Sequence, residues 1–373
     1  MSTPRTLKYP KIHTSLPEPR AGGKSLCTVK KDALWCATEK VHGANFSFHV
    51  HRSGRISCGK RTGLIEEGDP FFGYFTVVER LRQRVYAMAE DLMSAYDCKQ
   101  QPSSEDPSVV LFGELFGGEY PAITPHSDRV SRAVQQGVFY SPRLEFMLFD
   151  ICVAMPPSQR SATTSTGECY ELEAELHFLS FNEVLTYSHK HGIFCAEPLL
   201  VGPLATVSNF NINFPTTIPA ALGLPPMNTK DDFLAGKQKS NKTINNNNAE
   251  GVVLRPMDFG PTPFGEGGSR PITKLKTTNF RDGEGCPPSV VGSEHIRRWL
   301  LSLVEIESEC TSQLLASASS KVGSLGDRNA WEGIVTCALE DLADQACDCG
   351  NTFDEVKDEL RFKLFNVLAM SCT

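Results

Sequence analysis

Lys40 stands between Glu39 and a small turn in "WCATEKVHGANFSFHV" (residues 35–50), and the chain then runs straight into an alternating apolar strand. A lone amine at such a junction suits covalent chemistry. A lysine nucleophile must be neutral to attack, and partial desolvation or neighbouring positive charge favours that form. Gly43, three residues on, permits a tight turn beneath the lysine. Taken alone, Lys-x-x-Gly reads by default as a surface lysine whose stem lies along apolar surface.

Other segments carry groups of matching chemistry. "CGKRTG" offers Lys60 and Arg61, a clamp for phosphate or for a ribose-bearing ligand. "LFGELFG" delivers Glu114 between glycines at the end of a hydrophobic strand, and "FMLFDI" supplies Phe149, a flat face on which a purine can stack. "AEGVVLRP" sets Glu250 at the head of a strand. "ITKLKTTNF" spaces Lys274 and Lys276 two apart, so strand alternation projects both amines from one face. Each has a structural alternative: edge-strand guards for Glu114 and Glu250, core for Phe149, a solubilising face for Lys274 and Lys276.

Residues 33–62 read as strands joined by tight turns, with Gly54 as a hairpin signal, which makes an antiparallel sheet. Val78, Leu81, Val85, Met88 and Leu92 have the spacing of an amphipathic helix over 77–96 that packs on it. "SVVLFGELFG" and "LEFMLFDICV" are apolar enough for central strands. "NEVLTYSHKHG" is a second helix, opened by the capping pattern Ser180-x-x-Glu183 and stopped by Gly192. Residues 100–107, 155–168 and 239–248 are polar, turn-rich loops.

After "DGEGCPP" the character changes to helical periodicity, as in Trp331, Val335, Ala338, Leu342 and in Val356, Leu360, Leu364, Val367, the last helix opening on Thr352-x-x-Glu355. The domain boundary is therefore expected near residue 287, giving domains 1–287 and 288–373.

The chain has 373 residues, enough for one large and one smaller domain, and holds no apolar run long enough for a membrane span. Its 13 cysteines, an odd number scattered without Cys-x-x-Cys pairs, fit a reducing compartment better than a disulfide framework. Cys347 and Cys349 are a weak candidate for metal. An intracellular setting is expected, cytoplasmic by default, with mitochondrion and nucleus open. The net charge of -7 argues against indiscriminate polyanion binding. Charge is segregated, however: residues 20–62 carry nine Lys/Arg against Asp32 and Glu39, and residues 302–373 carry thirteen Asp/Glu against five Lys/Arg. A basic functional surface can coexist with an acidic whole.

In this order and spacing, Lys-x-x-Gly, Lys-Arg-Thr-Gly, Gly-Glu-Leu-Phe-Gly, Phe-Asp-Ile, Glu-Gly-Val-Val and Lys-x-Lys resemble the covalent nucleotidyltransferase superfamily of nucleic acid ligases and mRNA capping enzymes. The likeness is strongest to the RNA ligase 2 type, which includes mitochondrial RNA-editing ligases. It covers roughly residues 8–282 and extends more weakly into "SSKVGSLGDRNAWEGIVTCALEDLADQA", similar to a helical C-terminal domain and unlike the OB-fold of DNA ligases and capping enzymes. The resemblance implies an α+β fold: an antiparallel-sheet adenylyltransferase domain followed by a small all-helical one.

It also implies roles. Lys40 would attack the α-phosphorus of ATP and hold AMP, with Lys274 and Lys276 neutralising the α-phosphate. Glu39, through backbone or carboxylate, would read the adenine, and Phe149 would stack on it. Glu114 would accept from the ribose hydroxyls; Arg61 and Asn45 would contact sugar or phosphate. Glu250 would hold a hydrated Mg²⁺. His42 occupies the family's histidine position and either serves a later step or is a packed turn histidine. AMP would pass to an RNA 5′-phosphate for sealing to a 3′-hydroxyl, by a protein that is a monomer by default, with Arg297 and Arg298 of the helical domain closing on the nick. Ala44 stands where the family often has threonine, and His13 where a glutamate is frequent. The alternatives are a DNA ligase or capping guanylyltransferase, and a non-catalytic RNA-binding relative.

Overall fold

The computed structural model describes residues 7–12, 14, 29–30, 32–96, 107–121, 133–135, 137–155, 162–163, 169–170, 175–227, 247–263, 270–277, 280, 297, 301, 304, 309–323, 325–345 and 351–371. His13, Arg298, Cys347, Cys349, most of the expected loops and the boundary expected near 287 lie outside the described residues. The chain divides into two compact units, Met1–Glu67 with Gly73–Lys276, and Gly68–Phe72 with Thr277–Thr373.

The first unit begins with β1 (Trp35–Lys40), β2 (Ala44–Val50), β3 (Ile56–Lys60) and β4 (Gly63–Leu64), then helix α1 (Phe75–Ala95) and the long strands β5 (Val109–Glu119) and β6 (Ser141–Met155). There follow a small ribbon of β7 (Ala162–Thr163) and β8 (Cys169–Tyr170), strand β9 (Glu175–Phe178), helix α2 (Phe181–His191), strand β10 (Pro198–Gly202) and one-turn helices α3 (Leu204–Val207) and α4 (Ile218–Ala221). Strands β11 (Gly251–Pro256), β12 (Thr262–Pro263) and β13 (Thr273–Lys276) close it.

The main strands form two antiparallel sheets, ordered β10-β1-β11-β13 and β12-β9-β6-β5-β2-β3-β4. The single sheet expected over 33–62 is thus divided: β1 lies in one sheet, and β2 with β3 in the other. Alternation identifies a strand but says nothing of its partner, and Val41, His42 and Gly43 carry the chain from one sheet to the next.

Within the smaller sheet, Trp35, Ala37, Val252 and Leu254 turn to one face and pack with Val207 of α3. Alternation leaves Thr38 and Lys40 for the opposite face. The larger sheet is covered by α1, whose Val77, Leu81, Val85, Met88 and Leu92 are buried. Val77 takes the place expected of Val78, which is only half-buried. The capping box at Ser180 and Glu183 is formed, and Gly192 ends α2 at φ 62°.

In the second unit, α5 (Glu309–Val322), α6 (Trp331–Gln345) and α7 (Asn351–Ser371) share a core of Leu314, Leu315, Ala318, Ile334, Val335, Ala338, Leu342, Val356, Leu360 and Leu364. Helix α5, "ECTSQLLASASSKV", is not among the helices expected from the sequence; serines and alanines leave it few large apolar side chains to mark a face. Antiparallel sheets followed by C-terminal helices make the fold α+β, as the sequence implied.

Candidate active site

The site grows out of strand register. Lys40, the last residue of β1, pairs with Gly251 of β11, and Gly251 pairs in turn with Lys276 of β13. Directly paired residues share a face, so both lysines project on one side with only a glycine between them. Two residues back, Thr38, Val253 and Lys274 form the next row on that face.

Glu250, immediately before β11, is the hub. Lys40 Nζ donates to Glu250 Oε2 at 2.6 Å, His42 Nδ1 lies 3.4 Å from the same oxygen, and Lys276 Nζ lies 3.2 Å from Oε1. Burial alone would raise the Glu250 carboxyl, but Lys40, His42 and Lys276 outweigh it and hold it well below the usual carboxylate range. Glu250 is 2% exposed while Lys40 and His42 are 22% and 21% exposed, so a buried anion sits beneath partly accessible cations. Such a cluster is costly to desolvate, and strongly perturbed ionisable groups of this kind concentrate at functional sites.

Two glycines permit the geometry by lacking a side chain. A Cβ on Gly251 would meet the Leu275 carbonyl oxygen at 1.9 Å, and one on Gly43 would meet the Leu115 carbonyl oxygen at 2.3 Å. The chain bends at Gly43 as its spacing suggested, and close approach to β5 adds a second demand for glycine there. Gly43 N–H donates to the carboxylate of Glu114, and Glu114 faces Asn45 across β2 and β5. Burial, with the charge of Glu250, pushes the Glu114 carboxyl up to about 7 against the pull of Lys40, Gly43 and Arg61. His42 N–H donates at 2.9 Å to the hydroxyl of Tyr140, a buried residue that the sequence reading did not single out.

Glu39 turns the other way. Its buried carboxylate accepts from Thr216 Oγ1, from Thr217 N at 2.8 Å and from Thr217 Oγ1 at 2.7 Å, on the face of β1 opposite Lys40. Burial raises its carboxyl and these bonds oppose the rise. Lys60 ends β3 opposite Phe46, and Arg61 donates to the carbonyl of Tyr9, fastening the N-terminal segment to the turn after β3.

Phe149 lies at a bulge in β6: Phe112 pairs with Asp150 and Gly113 with Leu148, so Phe149 is the extra residue. It is half-buried, with its ring 4.9 Å from that of Tyr9 in an edge-on contact. Asp150 next to it is fully buried and binds Arg255 Nη2 at 2.7 Å, Arg270 Nη1 at 2.7 Å and the Tyr9 hydroxyl at 2.5 Å. Arg255 also donates to the Phe149 carbonyl at 2.7 Å, so β11 grips the bulge directly. Burial would raise the Asp150 carboxyl, but the two guanidiniums take it down to about 2. The sequence reading missed this network, although an aspartate inside the apolar run "FMLFDICV" and an arginine inside "GVVLRP" each called for a buried partner.

In the second unit, Arg297 pairs with Glu359 at 3.0 Å, both about half exposed.

Glu250 supplies ionised, hard oxygen donors, the type that Mg²⁺ prefers, and cations crowd the same carboxylate as they would a phosphate. The arrangement offers an amine, flanking charge and an anchoring carboxylate in one place.

Comparison with known proteins finds similar chains among RNA ligases. RNA-editing ligase 2, mitochondrial, of Trypanosoma brucei brucei is 28% identical over 289 residues, covering 74% of this chain and 60% of that protein. RNA-editing ligase 1, mitochondrial, of the same organism is 26% identical over 268 residues, covering 66% and 50% respectively. The chain thus spans about half to three-fifths of the length of these relatives. Among solved structures, an archaeal ATP-dependent RNA ligase is similar at 16% identity with a TM-score of 0.33, over 95% of this chain and 64% of that one. A Naegleria gruberi RNA ligase solved with ATP and Mn is similar at 11% identity and a TM-score of 0.33, over 67% and 51%. The RNA ligase family pattern matches residues 33–276, the stretch that holds Lys40, Glu250 and Lys276, and the chain belongs to that family.

Proposed function

We propose that this chain is an ATP-dependent RNA ligase that seals 3′-hydroxyl and 5′-phosphate RNA ends through a lysyl-AMP intermediate. The observation that carries the reading is the meeting of Lys40, His42 and Lys276 on the Glu250 carboxylate.

Lys40 Nζ, once neutral, attacks the α-phosphorus of ATP; a P–N bond forms, the α–β phosphoanhydride breaks and pyrophosphate leaves. Lys274 and Lys276, on the same face, neutralise charge on the α-phosphate. A 5′-phosphate oxygen of RNA then displaces the lysine and takes the AMP. The adjacent 3′-hydroxyl attacks that 5′-phosphorus, and AMP departs as the strand closes. Positioning and charge neutralisation do most of the work in all three transfers.

Glu250 would hold Mg²⁺, which supplies further neutralisation of phosphate charge. Phe149 would stack on adenine, Glu114 would accept from ribose, and Asn45, Lys60 and Arg61 would contact sugar or phosphate. With the Glu39 carboxylate bound to Thr216 and Thr217, base reading at that position falls to its backbone. His42 would act in a later step. The basic stretch, including Arg52 and Arg55, would track the RNA backbone. In this reading residues 1–287 act as the adenylyltransferase domain and 288–373 as a helical domain of a monomeric, intracellular enzyme, and the mitochondrial relatives make that organelle a natural place to look for it.

The test is sealing of a nicked RNA duplex with ATP and Mg²⁺, compared with the same nick in DNA and with GTP in place of ATP. Sealing that requires ATP and RNA at the 3′ side of the nick is expected, since only RNA has a 2′-hydroxyl there. Sealing of DNA alone, or nucleotide transfer from GTP alone, rejects it in favour of a DNA ligase or a capping enzyme.

A further inference from the structure

Away from the lysines, the end of α2 and the approach to β10 bring three unlike donors together. His189, Cys195 and Glu197 offer an imidazole nitrogen, a sulfur and a carboxylate oxygen that all lie within 4.8 Å of one another. His189 Nε2 is 2.5 Å from Glu197 Oε1, and Cys195 Sγ is 3.3 Å from the same oxygen. His189 and Glu197 are 60% and 54% exposed, whereas Cys195 is buried.

The backbone beneath them is held at several points. Ile193 N–H donates to the Ser188 carbonyl at 3.0 Å, and Ser188 Oγ donates to the Ile193 carbonyl at 2.6 Å. Leu148 N–H donates to the Phe194 carbonyl at 2.8 Å, and Ala196 N–H donates to the Leu148 carbonyl at 3.1 Å. The donors therefore converge on a rigid frame.

Their pairwise contacts do not account for that convergence. An exposed His–Glu pair contributes little to stability, and a thiol is a weak hydrogen-bond donor. A tetrahedral Zn²⁺ with bonds of about 2.0–2.3 Å sets its ligands roughly 3.3–3.8 Å apart, and the three donor atoms here all lie within 4.8 Å of one another. Nitrogen and sulfur donors also select against Mg²⁺, which takes oxygen ligands.

We propose that His189, Cys195 and Glu197 bind one divalent transition metal of the zinc class, with solvent as the fourth ligand. On binding, the Cys195 thiol gives its proton to solvent and a metal–sulfur bond forms, with no change of oxidation state. The ion ties the last turn of α2 to the segment that is hydrogen-bonded to Leu148, next to the Phe149 bulge. This site is independent of the ligase chemistry.

Co²⁺ is the probe, because thiolate ligation gives it a near-ultraviolet charge-transfer band. The full chain, stripped with chelator and kept reduced, is titrated with Co²⁺ alone. One equivalent is expected to raise the band and Zn²⁺ to bleach it; Cys195→Ser removes the band, and His189→Ala weakens Co²⁺ binding at least tenfold. His189 is exposed, so its variant keeps the fold and decides the matter even if Cys195→Ser does not fold. A band unchanged in His189→Ala, or no band in the folded wild-type chain, overturns the proposal.

Discussion

Lys40 and Lys276 stand in one row of the smaller sheet, on either side of Gly251, and each reaches one oxygen of the same Glu250 carboxylate. The close approach of β13 to β11 at this row requires that residue 251 have no side chain. Replacing Gly251 by alanine sets a carbon 1.9 Å from the Leu275 carbonyl and must push β13 away. Gly251→Ala is expected to lose about 1–3 kcal/mol of stability by overpacking, and nearly all transfer of AMP to the protein. Thermal denaturation and retained label from α-labelled ATP read the two effects separately.

The Glu39 carboxylate is held by Thr216 and Thr217, so in the proposed reading it supports the fold and the backbone reads the base. Glu39→Gln should cost roughly 1–2 kcal/mol, since the amide cannot accept all the bonds from Thr216 and Thr217, yet leave the preference for ATP over GTP unchanged. A variant of normal stability that accepts GTP would place the carboxylate at the base instead.

Removing Asp150 leaves Arg255 and Arg270 buried without their anion. Asp150→Ala is expected to destabilise the chain by about 3–5 kcal/mol, read from denaturant unfolding. Because Arg255 also holds the Phe149 carbonyl, any folded fraction should show a raised KM for ATP in lysine labelling.

Acid should weaken the fold through His49. Burial, with the charge of His51, brings its imidazole from an ordinary 6.5 down to about 3, and its Nε2 lies 2.8 Å from Ser47 Oγ. The unfolded chain takes up that proton first, so the contribution is present above about 6.5 and is lost as pH falls through about 3. A stability profile over this range should be flatter in His49→Gln. An equal slope in both proteins would show that the imidazole is already charged in the fold.

The sequence made local features legible and left pairing obscure. The α2 capping box, Gly192 and the apolar rows of α1, α6 and α7 were readable because each depends on neighbours a few residues apart. The site lysines and Glu250 were readable as separate motifs. Their meeting depends on β1, β11 and β13 lying side by side, and the register of β1 on β11 joins segments more than two hundred residues apart that no local pattern encodes. Tyr140, Thr216 and Thr217 were invisible for the same reason, since a hydroxyl's role follows from what packs against it.

The most direct measurement is to incubate the protein with ATP and Mg²⁺, digest it under conditions that preserve P–N bonds, and locate the AMP adduct by mass spectrometry. A single adduct is expected on the peptide bearing Lys40, absent in Lys40→Ala and much reduced in Lys276→Ala. An adduct on another residue, or none on the folded wild-type protein, would contradict that expectation.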